Sequence, residues 1–295
     1  MINFMRLKWL YFLISALVIL PGLFSLISWG LRPAIDFTGG SVLELRFNME
    51  IETSQYSDLR KDIEDIGYSV NSIQSSGDKT YLIRLKTITK DDAEKIKTIL
   101  SEKAGETEEL RFETVGPILG RELLVKTLFA VGLAAFFILG YVAWAFKEAR
   151  FGVCAILAMF HDSLVLLGIF SLLGHFMEVE VDTLFVTAVL TILSFSVHDT
   201  VVVYDRIRES QRKLPGVPFV DLANKAVTET MSRSLNNSLT IIFMLLALLL
   251  LGGESIKWFA MALLVGTISG TYSSTFTAVP LLVVWENIKQ RRKKK

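Results

Sequence analysis

Six stretches of this 295-residue chain are apolar over lengths that match a bilayer core: residues 9–29, 123–146, 151–174, 183–203, 235–251 and 258–284. A bilayer core takes about 20 apolar residues per helix and offers backbone polar groups no partner outside the helix, so such runs are read as membrane helices. Composition agrees, since 52% of the residues are hydrophobic without counting glycine, above the roughly 45–50%, glycine included, of a soluble domain. The first run is longer than a signal-peptide core and is followed by Arg32-Pro33 where a cleavage site would need small residues, so it reads as a retained helix. The one cysteine, Cys154, lies within an apolar run and leaves no intrachain disulfide to form.

The net charge of +1 points neither to nucleic acid nor to an acidic partner, but the placement of the charges is informative. Arg6 and Lys8 precede the first run, Lys147 and Arg150 join the second and third, and six basic residues lie in the 204–233 connection. The tail 285–295 adds Lys289, Arg291, Arg292, Lys293, Lys294 and Lys295, whereas the connections after the third and fifth runs offer only Lys257. The positive-inside rule then puts both termini in the cytoplasm and the hydrophilic insert 31–122 outside. Within 204–233, Pro215-Gly216-Val217-Pro218 marks a turn and 219–230 reads as an interfacial amphipathic helix.

The insert predicts strands at 41–47, 69–75, 80–86 and 108–115 and helices at 54–66 and 90–103. Leu43, Leu45 and Phe47 alternate with Glu44 and Arg46, the pattern of a half-buried strand, and Ser76-Gly77-Asp78-Lys79 is a hairpin turn. Thr89 ahead of Lys90-Asp91-Asp92 is an N-cap with acids in the first turn. The βαββαβ order is that of a ferredoxin-like split βαβ unit. No metal-ligand or nucleophile pattern stands in it, so it reads as a mechanical or binding module, and nothing in the chain calls for a cofactor.

Ionisable residues inside the apolar runs carry the functional signal, because a carboxylate at bilayer depth costs on the order of 3 kcal/mol on insertion scales. His161 and Asp162 lie near the middle of the third run, His198 and Asp199 in the cytoplasmic half of the fourth, and Arg233 at the mouth of the fifth. Thr183, Thr187, Thr191, Ser194 and His198 of the fourth run and, just beyond it, Asp205 fall on one helical stripe, a polar seam expected to face protein or water. Asp199, at the edge of that seam, and Asp162 are read either as proton-relay groups or as hydrogen-bonding glue between helices. His198 is read as a relay or a packing group. Arg233 is read as a carboxylate partner or a snorkelling flank, and it opens a polar stretch with Asn236 and Asn237. Gly266, Gly270, Ser274 and Ala278 in the sixth run make a small-residue face for close helix approach.

These residues together resemble a known family. Ile35-Asp36-Phe37-Thr38-Gly39-Gly40 follows the first run, and Val115-Gly116-Pro117 with Gly120 precedes the second. Phe160-His161-Asp162 stands in the third, Ser196-Val197-His198-Asp199-Thr200-Val201-Val202-Val203-Tyr204-Asp205-Arg206 ends the fourth, and Ser232-Arg233-Ser234-Leu235-Asn236 opens the fifth. The pattern resembles the SecF family, six-span subunits of the SecDF accessory complex of the bacterial Sec translocase, in the resistance-nodulation-division superfamily. The resemblance implies pairing with SecD into a twelve-span assembly, association with the SecYEG channel, and use of the proton-motive force on translocating chains after the ATP-driven SecA step. It places the proton-pathway acid on Asp199 and its arginine partner on Arg233. Neither a His-Glu-x-x-His zinc pattern nor a paired-aspartate signature stands in the sequence, so no covalent chemistry is expected. His198 stands where the family usually has Asn, adding an imidazole beside the acid. Two other readings are a small-solute exporter of the same superfamily, for which one outer domain of this size is small, and a non-transporting assembly subunit.

Overall fold

The structure, a computed structural model, describes residues 3–146 and 148–293. In chain order a 3-10 turn (Phe4–Leu7) leads into α1 (Lys8–Ser28), followed by the short α2 (Ile35–Thr38), β1 (Gly40–Phe47), α3 (Tyr56–Asp65), β2 (Val70–Gly77), β3 (Thr80–Leu85), α4 (Lys90–Ala104) and β4 (Thr107–Val115). Long helices complete it: α5 (Pro117–Ala145), α6 (Ala149–Met177), α7 (Thr183–Lys213), α8 (Phe219–Leu251), α9 (Glu254–Ser273), a π-helical segment (Ser274–Ala278) and α10 (Val279–Lys293). The chain divides into two units, Pro33–Phe129 and a helical unit made of the residues up to Arg32 and from Ala130 onward.

In the Pro33–Phe129 unit the four strands form one sheet in the order β2-β3-β1-β4, with every neighbouring pair antiparallel. Leu43, Leu45 and Phe47 of β1 point inward, against Tyr81, Ile83 and Leu85 of β3 and the helix residues Leu59, Ile63, Ala93, Ile96 and Leu100. Glu44 and Arg46 point away, as their alternation requires. The hairpin between β2 and β3 turns on Asp78 and Lys79 between the paired Gly77 and Thr80. At α4, Thr89 forms a full capping box with Asp92. The Asp92 carboxyl is held well below the usual carboxylate range, first by the Tyr68 hydroxyl and then by Thr89, so the box keeps its charge into acid.

In the helical unit, Tyr11, Ser15, Gly22 and Ser25 make the buried face of α1. They are mostly small, which lets α1 approach α6 closely: a Cβ on Gly22 would lie 2.9 Å from the Gly168 Cα. The small-residue face of α9 packs on α7, with Gly266 against Ile192 and Gly270 against Phe195 and Ser196. Phe151, Tyr204, Val203, Ile207, Val279 and Leu282 are among the residues that fill the core between α6, α7 and α10.

One expectation differs from what is seen. The 204–233 interval is not a loop carrying a separate amphipathic helix. Residues 204–213 continue α7, and α8 runs unbroken from Phe219 to Leu251, because neither stretch contains Pro or Gly to stop it. Phe219, Leu222, Ala223, Ala226 and Val227 are buried against the helical unit rather than laid on an interface. Among the described residues, five helices are long and apolar enough to cross a membrane, Phe4–Ser28, Pro117–Ala145, Ala149–Phe176, Thr183–Lys213 and Phe219–Leu251. The 258–284 run is spread over α9, the π segment and α10. Pro280 supplies the cause: it has no N–H for the carbonyl four residues earlier and its ring collides there, and the π turn directly before it relieves the clash.

Candidate functional site

A buried polar cluster lies at the centre of the helical unit, built around Asp162 of α6, which is 1% exposed. Its Oδ2 accepts from the hydroxyls of Ser196 on α7 (2.5 Å) and Ser273 on α9 (2.6 Å), and its Oδ1 from Ser269 on α9 (2.6 Å). The neighbouring His161 places Nδ1 3.0 Å from Oδ1. An ionised carboxylate is an acceptor only, with about four lone-pair sites, and here all are met. Protonating it would oblige one of the four donors to turn round. His161 Nε2 lies 3.0 Å from Ser15 Oγ on α1, which in turn is 3.4 Å from Thr277 Oγ1 in the π segment. The cluster thereby ties α1, α6, α7, α9 and the π segment together.

Asp199 is a second buried carboxylate. It is 6% exposed on α7, and its Oδ2 accepts from Ser234 Oγ of α8 at 2.5 Å. Arg233, the residue before that serine, does not meet it. Among the described residues no ion pair joins Arg233 to Asp199, and the guanidinium instead lines an open cleft of about 860 Å³ between the ends of α7 and α8, with Asp205, Arg206, Arg212 and Glu229. Asp205 pairs there with Arg208 at 3.0 Å.

The remaining stripe residues point outward. Thr183, Thr187, Thr191, Ser194, His198 and Asp205 are all exposed in this chain, as are Asn236 and Asn237 on α8. His198 borders a cleft of about 370 Å³ with Phe137, Tyr141 and Ser194. Thr200 is the opposite case: it is 1% exposed, and its hydroxyl has no hydrogen-bond partner. A buried hydroxyl left unmade costs on the order of 1–3 kcal/mol.

The Asp36-Phe37-Thr38-Gly39-Gly40 and Gly116-Pro117-Gly120 segments, far apart in sequence, meet in the Pro33–Phe129 unit. Gly39 (φ 73°) ends α2 and Gly40 (φ 131°) turns the chain into β1, backbone that side chains rarely adopt. A Cβ on Gly39 would lie 2.7 Å from the Pro117 Cα, and one on Gly120 2.8 Å from the Gly39 nitrogen. The glycines are there because the start of α5 passes backbone to backbone over this turn.

Sequence reasoning placed Asp162 and Asp199 at depth but missed Ser15, Ser196, Ser269 and Ser273. The available signal was the four-residue spacing of Ser269 and Ser273, which falls beside the Gly266-Gly270 face and reads as packing.

Long apolar helices with a buried carboxylate cluster between them, beside a small antiparallel sheet unit, define the chain as a helical membrane protein. Residues 95–288 match the family described as protein export membrane protein SecD/SecF, C-terminal, and residues 24–51 match the SecD/SecF GG motif. The chain is 44% identical to the protein translocase subunit SecF of Thermobaculum terrenum, over 97% of this chain and 95% of that one. It is 37% identical to the SecDF subunit of Thermus thermophilus, over 88% of this chain but only 35% of that longer one. The crystal structure of a SecDF from Thermus thermophilus, titled a translocon-associated membrane protein, superposes with a TM-score of 0.86 at 34% identity; the match covers 97% of this chain and 39% of that chain. The chain belongs to the SecD/SecF family of protein-export membrane proteins, on its SecF side.

Proposed function

We propose that this chain is the six-span SecF half of a SecDF assembly in the bacterial inner membrane, with both termini cytoplasmic and a ferredoxin-like domain outside. With a SecD partner it uses the proton-motive force to complete preprotein translocation through SecYEG after the SecA step. The observation that carries this reading is the burial of Asp199 on a membrane-length helix with a single hydroxyl donor from α8. A carboxylate with so few partners in low dielectric is well suited to gain and lose a proton. Relatives in which SecD and SecF form one chain support the pairing.

In this mechanism Asp199 takes up the proton and Arg233, next to its serine donor, competes for the carboxylate when it is ionised. Closing and opening of that pair moves α8 against α7. His198 extends the path at the exposed edge, and Asp162 with His161 lies one helical turn further in. The exposed seam of α7 is completed by SecD, in keeping with conduction sites formed at the interface of two pseudosymmetric halves.

The test is co-reconstitution with SecD and SecYEG in proteoliposomes, measuring completion of preprotein translocation with and without an imposed proton gradient. The gradient is expected to accelerate completion for the wild type and not for Asp199→Asn, with the complex still assembled. Equal acceleration of both would assign Asp199 a structural role and sink the proposal.

A further inference from the structure

Threonine hydroxyls in the helices of this chain have a common habit: those of Thr187, Thr191, Thr230, Thr240, Thr267 and Thr271 each donate to the carbonyl four residues earlier. Thr200 does not. Its Oγ1 is buried and unpartnered, and among the described residues it is the one such buried side-chain atom in the helical unit. It sits in a stripe with Ser196 and Tyr204, each four residues away and therefore on the same face of α7. Both neighbours are satisfied: Ser196 donates to Asp162, and Tyr204 donates to the Ala278 carbonyl of the π segment at 2.7 Å. Thr200 thus presents a free hydroxyl to the interior between the Asp162 cluster and the π segment, and it directly follows Asp199.

We infer that Thr200 and Ser196 are proton-relay hydroxyls linking Asp199 to Asp162, an inference that rests on the proton-coupled reading above. The balance is simple. Protonated Asp199 releases a proton toward the Thr200 hydroxyl; Thr200 passes its own to Ser196, Ser196 passes its own to the Asp162 carboxylate, and both hydroxyls end unchanged. Ser196 and Thr200 are about 6 Å apart along the helix axis, so the transfer between them passes through one bridging water, which takes a proton from Thr200, gives one to Ser196 and ends unchanged as the hydroxyls do. Among the described residues the charged and titratable groups around the path are Asp162, His161 and Cys154 on α6, His198, Asp199 and Tyr204 on α7, Tyr272 on α9 and Tyr11 on α1, with Arg233 on α8. Of these the two carboxylates are the end points, and the two hydroxyls on α7 lie between them.

The experiment uses the full chain with its SecD partner in proteoliposomes containing a pH-sensitive dye, with an imposed proton gradient. Thr200→Val keeps the shape and removes the hydroxyl, whereas Thr200→Ser keeps the hydroxyl. Thr200→Val is expected to slow proton entry about tenfold or more, while Thr200→Ser stays within about twofold of wild type. Both should co-purify with SecD as well as the wild type does, and Thr200→Val should melt no lower, because the hydroxyl it removes has no partner to lose. Unchanged proton entry in Thr200→Val, or equal losses in the Val and Ser variants, would overturn the inference. If Thr200→Val fails to assemble, Ser196→Ala decides in its place: slowed entry supports the relay and unchanged entry refutes it. Asp199→Asn separates the two levels. Loss of flux there with none in Thr200→Val sinks the relay alone, and no loss in Asp199→Asn sinks the proton-coupled reading and the relay with it.

Discussion

Replacing Asp162 with alanine is expected to destabilise the helical unit by roughly 3–5 kcal/mol, the scale of breaking a buried charged network from one side. Ser196, Ser269, Ser273 and His161 all lose their acceptor at once, and they come from α6, α7 and α9. Asp162→Asn should cost less, because the amide oxygen still accepts two of these bonds and the hydroxyls facing its NH₂ can turn to accept. The readout is built into the chain: Cys154 is its one cysteine and is 1% exposed, so thiol labelling against temperature reports opening of this core. Substituting Ser196, Ser269 and Ser273 together by alanine should be as damaging as Asp162→Ala, since it strands the carboxylate instead of its donors. Adding Asp162→Leu to that triple variant should recover much of the loss, because replacing a whole buried polar group by apolar side chains of similar volume is often neutral. An Asp162→Ala protein that melts within about 1 kcal/mol of wild type would mean that the hydrogen bonds carry no net energy.

That cluster also shows where reading the sequence stops. The places of Asp162 and Asp199 inside apolar runs follow from counting along the sequence, and in the structure both side chains are buried in protein. Local chemistry was legible too: Thr89 caps α4 through contacts within four residues, and β1 buries Leu43, Leu45 and Phe47 by simple alternation. What counting along one helix cannot give is which hydroxyls from other helices converge on a given carboxylate. Ser15 and His161 are 146 positions apart, and Ser269 and Asp162 are 107 apart. Their meeting depends on helix rotation, and a helix that is apolar all round carries little periodic signal to set that rotation. Asp199 and Arg233 meet the same limit. One residue along α8 is about 100° of rotation, and that rotation gives Asp199 the hydroxyl of Ser234 while Arg233 lines the cleft. Segment boundaries near 204–233 failed for a different reason. Charge and polarity suggested a surface loop, whereas continuity of helix is decided by the absence of a breaker.

Gly168→Leu is expected to prevent α1 from docking on α6. Even a single Cβ at Gly168 would stand 2.6 Å from the Gly22 Cα and 3.0 Å from its carbonyl carbon, both backbone atoms with no rotamer to escape into. Gly168→Ala therefore forces the helices apart and should cost about 1–3 kcal/mol, the usual scale of overpacking, while leucine exceeds what the interface absorbs. Two hydrogen bonds report the separation. Ser25 Oγ and Ser171 Oγ lie 2.7 Å apart near one end of α1, and Ser15 reaches His161 Nε2 at 3.0 Å closer to its middle. In a chain with Cys154→Ser, cysteines placed at 25 and 171 should cross-link readily under mild oxidation, and Gly168→Leu should abolish that bond. The second contact carries the effect to the Asp162 cluster, because His161 depends on Ser15 for the partner of its outer nitrogen. Gly168→Leu should therefore also speed Cys154 labelling when the engineered cysteines are left out. Gly22→Ala and Gly168→Ala should be markedly less than additive, since the first methyl already opens the gap that the second would need. Full additivity, or cross-linking that survives leucine at 168, would place the α1–α6 contact elsewhere along the helices.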